Sequence, residues 1–371
     1  MVARALLIAV FSVFTGLWFA PASEAQPSTL SVADNEPVDV APGEPGPGDN
    51  MLFAVRGNGR FVVSLAFATG QPGEIVSHRL YDDGQLEFVG RTPAGREPRA
   101  IAMARNGDYA VVVNSIDDQL AVMSIGDDGL LREIHRADSG GDNPYDVAVA
   151  FGNIVLVANR DSNTLNTFHL DRLGQLFPIS QASTGLTPHV VVVGSRGHVA
   201  VANQGGRSLS LFDVNRRGDL EFLGTVTLDN MTPITASWHG DHLFVALDRP
   251  FPSEDVIRAF HVNRRGQVSQ AGDIAAGVFL TDIEANEDGL FAVTANLNDP
   301  ANVLDDRNEV RVYRIDGTNL TLDAAVQTEG FPPSFKQVST GRARRPNDRH
   351  VIVSEFQSGW LRSLLYDFIF P

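Results

Sequence analysis

A unit of roughly forty-six residues recurs seven times from Met51 to the last residue, and a chain with that period is committed to a repeat architecture. One copy cannot bury its apolar faces alone, so each needs neighbours. Proline opens most copies, at Pro98, Pro144, Pro188, Pro233 and Pro333, with Asn50 and Leu280 in equivalent places elsewhere. A β-rich run follows each opening: Phe61 to Ala66, Ala110 to Asn114, Ile154 to Asn159, Val199 to Asn203, Leu243 to Asp248, Leu290 to Asn296 and Val351 to Glu355. A late turn with glycine closes six copies, as in Asp127-Asp128-Gly129 and Asn215-Arg216-Arg217-Gly218. The seventh copy lacks its late turn and reads as one strand short.

Helical repeats need apolar residues three and four apart, and no long window supplies that spacing. Runs such as Ala110-Val111-Val112-Val113 and Val199-Ala200-Val201-Ala202 are instead short and apolar on both faces, as strands sandwiched between two layers must be. Four short strands per unit, separated by Gly, Asn and Asp turns, predict an all-β fold: a seven-bladed β-propeller with about four antiparallel strands per blade.

Residues 1–25 read as an export signal, with Arg4 ahead of an apolar core and small residues Ser23 and Ala25 placed for cleavage. Residues 26–50 are rich in Pro, Gly and acids and hold no Lys or Arg, which predicts a solvated tether. Residues 51–371 then form one closed propeller. Thr29 to Ala33 or Val38 to Ala41 offers the strand that the seventh copy lacks. The expected location is secreted or periplasmic, with no membrane span after signal removal and a monomer as the expected state.

The chain has no cysteine, which excludes disulfides, thiolate metal ligands and covalently attached c-type haem. A formal charge of −16 opposes nucleic acid and anionic membranes as partners. Lys336 is the only lysine. Biased codon usage accounts for that as well as surface chemistry does.

With the repeats aligned, Val157-Ala158-Asn159-Arg160-Asp161-Ser162-Asn163-Thr164-Leu165 and Pro188-His189-Val190-Val191 resemble the lactonase-type seven-bladed propellers. That family includes 6-phosphogluconolactonases, carboxymuconate-cyclising enzymes and the YVTN-repeat propellers of microbial surface proteins. The resemblance implies a Pro-His step in a middle blade, matched by Pro188-His189, followed by a segment rich in Asp and Arg. Here that segment reads Asn203-Gln204-Gly205-Gly206-Arg207-Ser208, with the acids missing. The family's Asn-Glu-Leu step is altered to Ala246-Leu247-Asp248-Arg249, where Asp248 replaces the carboxylate if the register slips by one.

In a propeller the residues just after the opening prolines ring the channel mouth. Reading round gives Met51, Arg99, Tyr145, His189, Ile234, Thr281 and Ser334, with Asp282 and Lys336 close by. Candidate catalytic residues are therefore His189 as acid or base, Arg99 or Arg207 where a carbonyl oxygen gains charge, and Asp248. Candidate ligand-binding residues are Tyr145, Thr281, Asp282 and Lys336. The segment His239-Gly240-Asp241-His242 aligns with hairpin turns on the opposite face, and two imidazoles alone make a poor zinc site. No metal or cofactor is expected. Two longer loops, 248–255 and 297–309, rise on the channel face, and Arg342, Arg344 and Arg345 fall on the other. Two functions fit: a non-catalytic propeller binding a small anion or a protein partner, or a lactone hydrolase or cycloisomerase working through His189.

Overall fold

Alternate residues of each repeat's apolar run serve two different cores, and this explains why the runs carry no polar face. In Tyr109–Asn114, Ala110 and Val112 pack with Phe61, Val63 and Leu65, whereas Val111 and Val113 pack with Val155 and Val157. Ala110, Val111, Val112 and Val113 are each 0% exposed. Each buried valine contributes about 1.5–3 kcal/mol of burial free energy, shared between two interfaces.

The computed structural model describes residues 29–37, 47–56, 59–67, 70–81, 83, 85–105, 107–250, 253–285, 291–297, 308–328, 336–340, 350–355 and 360–367. The proposed signal, the loop 297–309 beyond its first residue and before Asn308, and Arg342, Arg344 and Arg345 lie outside them. Pro47–Arg56, Gly59–Ala66, Pro72–Leu80 and Leu86–Arg96 form the first four-stranded antiparallel blade. The second holds Pro98–Met103, Tyr109–Asn114, Gln119–Ile125 and Leu131–Asp138. The third holds Pro144–Ala150, Ile154–Asn159, Thr164–Leu170 and Leu176–Ser183. The fourth holds Pro188–Val193, His198–Asn203, Ser208–Val214 and Leu220–Thr227.

The fifth and sixth blades share one long strand. Thr232–His239, His242–Asp248 and Asp255–Val262 pair in order, and Val268–Ala285 closes that blade with its first part. From Val278 the same strand pairs with Phe291–Leu297, which continues through Asn308–Asp316 to Asn319–Thr328. The seventh sheet is built from Lys336–Thr340, His350–Glu355 and Trp360–Asp367, and its outermost strand is Thr29–Pro37. The innermost strands of successive blades neighbour one another around a closed ring. The fold is a seven-bladed β-propeller. The seven β-runs legible in the sequence are the second strands of the seven blades.

The late turns join third to fourth strands. Gly129 there has φ +83°, and a Cβ would lie 2.2 Å from the Phe61 ring of the preceding blade. Glycine supplies both the left-handed backbone and the room for blade-to-blade contact. Among the described residues no helix is long and apolar enough to cross a membrane.

Candidate functional site at the channel mouth

Chain direction alternates within each blade, so the starts of inner strands and the turns between second and third strands meet at one end. Arg99 and Tyr145 occupy equivalent places in the second and third blades and come together there. The Arg99 guanidinium stands 5.0 Å from the Tyr145 ring centroid and 5.2 Å from that of Phe67, and its Nη1 donates to Tyr145 Oη at 3.3 Å. Arg160, from the turn after Ile154–Asn159, lies 5.2 Å from the same tyrosine ring. Two cations thus share one aromatic ring, an arrangement that ring electrons stabilise. Glu97 pairs with Arg99 and accepts the Gly70 N–H at 2.8 Å. Arg160 was visible in the sequence as part of the repeat but carried no signal for this role.

His189 is 9% exposed and lies between the fourth and fifth blades. Its Nδ1 faces the Ala202 carbonyl at 3.1 Å and its Nε2 the Ile234 carbonyl at 2.7 Å. Burial pushes its pKa below the ordinary value, with the two carbonyls opposing that shift and Arg160 adding to it. A general base needs an accessible lone pair, and here each ring nitrogen is aimed at a backbone carbonyl. The expected acid–base role therefore meets a ring that is engaged at both ends as an inter-blade tie.

Arg207 of the fourth blade and Asp248 of the fifth interact electrostatically across the next blade junction. Arg207 is exposed, has φ +45° and acts electrostatically on Asp248. Its equivalents, Asp118 and Asn163, accept N–H groups from the next blade, those of Asn143 and Thr187, each at 2.7 Å. Arginine has no acceptor, so this blade gives up that link and exposes a cation instead. Asp248 closes His242–Asp248 opposite Thr232. Desolvation raises its pKa, while Asp255 and Arg207 act to lower it.

Asp282 accepts the Ile283 N–H at 2.8 Å and acts on Asp146 of the third blade. Asp146, which sequence reasoning passed over, accepts N–H groups from Val147 at 2.8 Å and Val191 at 2.7 Å. Desolvation raises its pKa to about 7 despite those donors, and Asp282 adds to the rise. Thr281 lies on the inner strand of the sixth blade, and Lys336 begins that of the seventh opposite Glu355. Their side chains lie outside the described set.

The His239 to His242 segment is a two-residue hairpin turn at the other end of the fifth blade. His242 also pairs with His261 on the next strand, their ring centroids 5.4 Å apart. Asp241 there is paired with Arg196. Among the described residues no three His, Asp or Glu side chains converge on a metal position.

Comparison with known proteins gives the same class. Residues 97–193 match the family model for the lactonase seven-bladed β-propeller. The fold is similar to that of the periplasmic gluconolactonase of Pseudomonas aeruginosa, at 15% identity and TM-score 0.59, over 76% of this chain and 85% of that one. Hydrazine synthase of Kuenenia stuttgartiensis aligns with TM-score 0.65 at 14% identity, over 89% and 98%. A Lactobacillus plantarum protein aligns with TM-score 0.61 at 16% identity, over 76% and 87%. No curated protein matches in sequence. The protein is thus a seven-bladed β-propeller, similar over residues 97–193 to the lactonase family.

Proposed function

We propose that the channel-mouth face binds a small carboxylated or plain lactone, or the open hydroxy acid derived from it. The observation that carries this reading is the pairing of Arg99 and Arg160 on the Tyr145 ring: two guanidinium groups held at one point beside the mouth in a chain of strongly negative net charge. Guanidinium forks suit carboxylate oxygens, and the aromatic ring offers an apolar wall. With residues 1–25 taken as an export signal, such a ligand would be met outside the cytoplasm, which disfavours sugar phosphates.

A second reading, hydrolysis at the same face, is favoured by Asp248 beside Arg207. Water oxygen would bond to the lactone carbonyl carbon and its proton would leave to solvent. The ring C–O bond would break, and the departing ring oxygen would take a proton from Asp248. The cations would stabilise charge on the carbonyl oxygen. Asp248, with His189 engaged by carbonyls, is the better proton source. Binding is tested by calorimetric titration with gluconate and with muconate, and turnover by acid release from glucono-δ-lactone and muconolactone above the uncatalysed rate. Binding without turnover supports the first reading alone. Failure to bind any of the four, with unchanged melting temperature, rejects both.

A further inference from the structure

The late turns, at the end opposite the channel mouth, change charge round the ring. Each is closed by the same backbone bond: Asp171 N–H to the Gln175 carbonyl at 2.9 Å, Asn215 to Asp219 at 3.1 Å and Asn263 to Gln267 at 3.0 Å. That register aligns the crests of blades three, four and five as Arg172-Leu173, Arg216-Arg217 and Arg264-Arg265. The turns are held from below, because Asp171, Asn215 and Asn263 accept the N–H groups of Leu173 at 2.8 Å, Arg217 at 2.8 Å and Arg265 at 2.9 Å. The crest side chains are left to solvent. All are exposed, Leu173 at 75%, and among the described residues none of these arginines has an ion pair.

The equivalent crests of blades one and two carry Asp83, Asp127 and Asp128, and blade six turns at Asp316. Asp128 is paired with Arg132 at 2.6 Å, whereas the basic arc is uncompensated. A net charge of −16 opposes an anionic surface only where it is spread evenly, since exposed charges more than about 10 Å apart are largely screened at ordinary ionic strength. Between blades two and three the arc borders a cleft of about 640 Å³, lined in part by Arg105, His169, Arg172 and Leu173. That volume suits a small anionic group.

The chain enters and leaves the fold at this same end. Trp360 lies opposite Glu355 at the mouth end, so Trp360–Asp367 runs away from the mouth, and Thr29 pairs with Asp367 at its far end. The flanking sequence is apolar: Ala5 to Ala20 before the strand, and Phe368-Ile369-Phe370 after it. Removal of residues 1–25 would leave an amino terminus at Gln26, a cation at neutral pH shortly before Thr29. Blade seven stands across the ring from blades three and four. Contacts on opposite sides of one end are met by a plane rather than by a single polymer chain.

We propose that the end opposite the channel mouth docks on an anionic membrane surface. The crest arginines pair with lipid phosphates, while Leu173 and the apolar segment after Asp367 enter the interface. The channel mouth then faces away from the bilayer and stays open to solutes, so this docking is independent of the lactone reading.

Protein exported by a bacterial host, its amino terminus read by mass spectrometry, is co-sedimented with vesicles of phosphatidylcholine alone and of an equal mixture with phosphatidylglycerol. Binding should be at least tenfold tighter to the mixed vesicles and should weaken as salt is raised. An arginine near such a surface contributes roughly a fivefold change in affinity, so Arg216→Gln with Arg217→Gln should weaken binding more than tenfold at unchanged melting temperature. Arg216→Lys with Arg217→Lys should retain most of it. The chain has no cysteine, so Leu173→Cys on the crest end and Ile116→Cys on the mouth end each accept a single environment-sensitive dye. On mixed vesicles the dye of Leu173→Cys should shift to the blue and that of Ile116→Cys should not. Equal binding to both vesicle types, no loss in the glutamine variant, or a shift in Ile116→Cys alone overturns the proposal. Arginine-dependent binding to soluble heparin or polyglutamate, with none to vesicles, would assign the arc to a soluble polyanion and overturn it as well.

Discussion

Asp146 Oδ2 accepts the N–H of Val191 at 2.7 Å, tying the inner strand of one blade to that of the next. The acid is half-buried at the blade junction, and its pKa is raised to about 7, first by desolvation. The unfolded chain ionises this group near the ordinary value, so between about pH 4 and pH 7 the folded state binds more proton. Stability contributed by the protonated acid is therefore lost as pH rises through that window and is level above it. Asp146→Asn, which mimics the neutral form, should gain in melting temperature relative to the parent as pH rises from 4 to 7, with a constant difference at higher pH. A difference independent of pH, measured by calorimetry, would refute this assignment.

Removing either guanidinium from the Tyr145 ring should weaken anion binding. Charged hydrogen bonds contribute about 1.5–3 kcal/mol, so Arg99→Ala or Arg160→Ala should raise the gluconate Kd roughly tenfold to a hundredfold. Arg160→Lys should recover only part of this, since lysine lacks the planar fork. Equal affinity in Arg160→Ala and the parent would exclude that residue from the site.

Arg258 supplies a structural control away from the mouth chemistry. It is 4% exposed and pairs with Asp273 at 2.6 Å and Asp229 at 2.9 Å. Cutting one side of such a network leaves charge without its partner, at a cost of about 3 kcal/mol. Arg258→Ala should unfold at correspondingly lower denaturant while Arg258→Met, which keeps the volume, loses less. Equal losses in urea titrations would mean that the lost charge, not packing, dominates there.

Thr29–Pro37 pairs along Trp360–Asp367 and joins the two ends of the chain in one sheet. Deleting residues 1–37 should expose that edge and lower the melting temperature by roughly 5 °C or more, about 2 kcal/mol for a large domain. Deleting residues 1–25 alone should leave it unchanged. Indistinguishable melting of the two truncations would show that the pairing carries no stability.

Much of the architecture is legible in the runs themselves. Val111 and Val113 face one neighbour and Ala110 and Val112 the other, so a run without polar alternation already specifies a strand buried on both sides. The site was less legible. Arg99, Tyr145 and His189 stand at equivalent repeat positions, which announces a ring but not which members touch. His189 reads from sequence as acid or base, and the fold surrounds it with the Ala202 and Ile234 carbonyls. Asp255 reads from sequence as one acid of a long loop, and only the fold shows it accepting the Leu280 N–H.

The sequence by itself determined the period and the strand class, because these depend on local pattern and on the chemistry of side chains taken singly. Only the tertiary structure decided that Arg160 joins Arg99 on one ring, that His189 is enclosed by carbonyls and that Asp255 meets the Leu280 N–H. Those contacts join different blades, and hydrogen bonds of about 3 Å across blades depend on a closure that no single repeat contains.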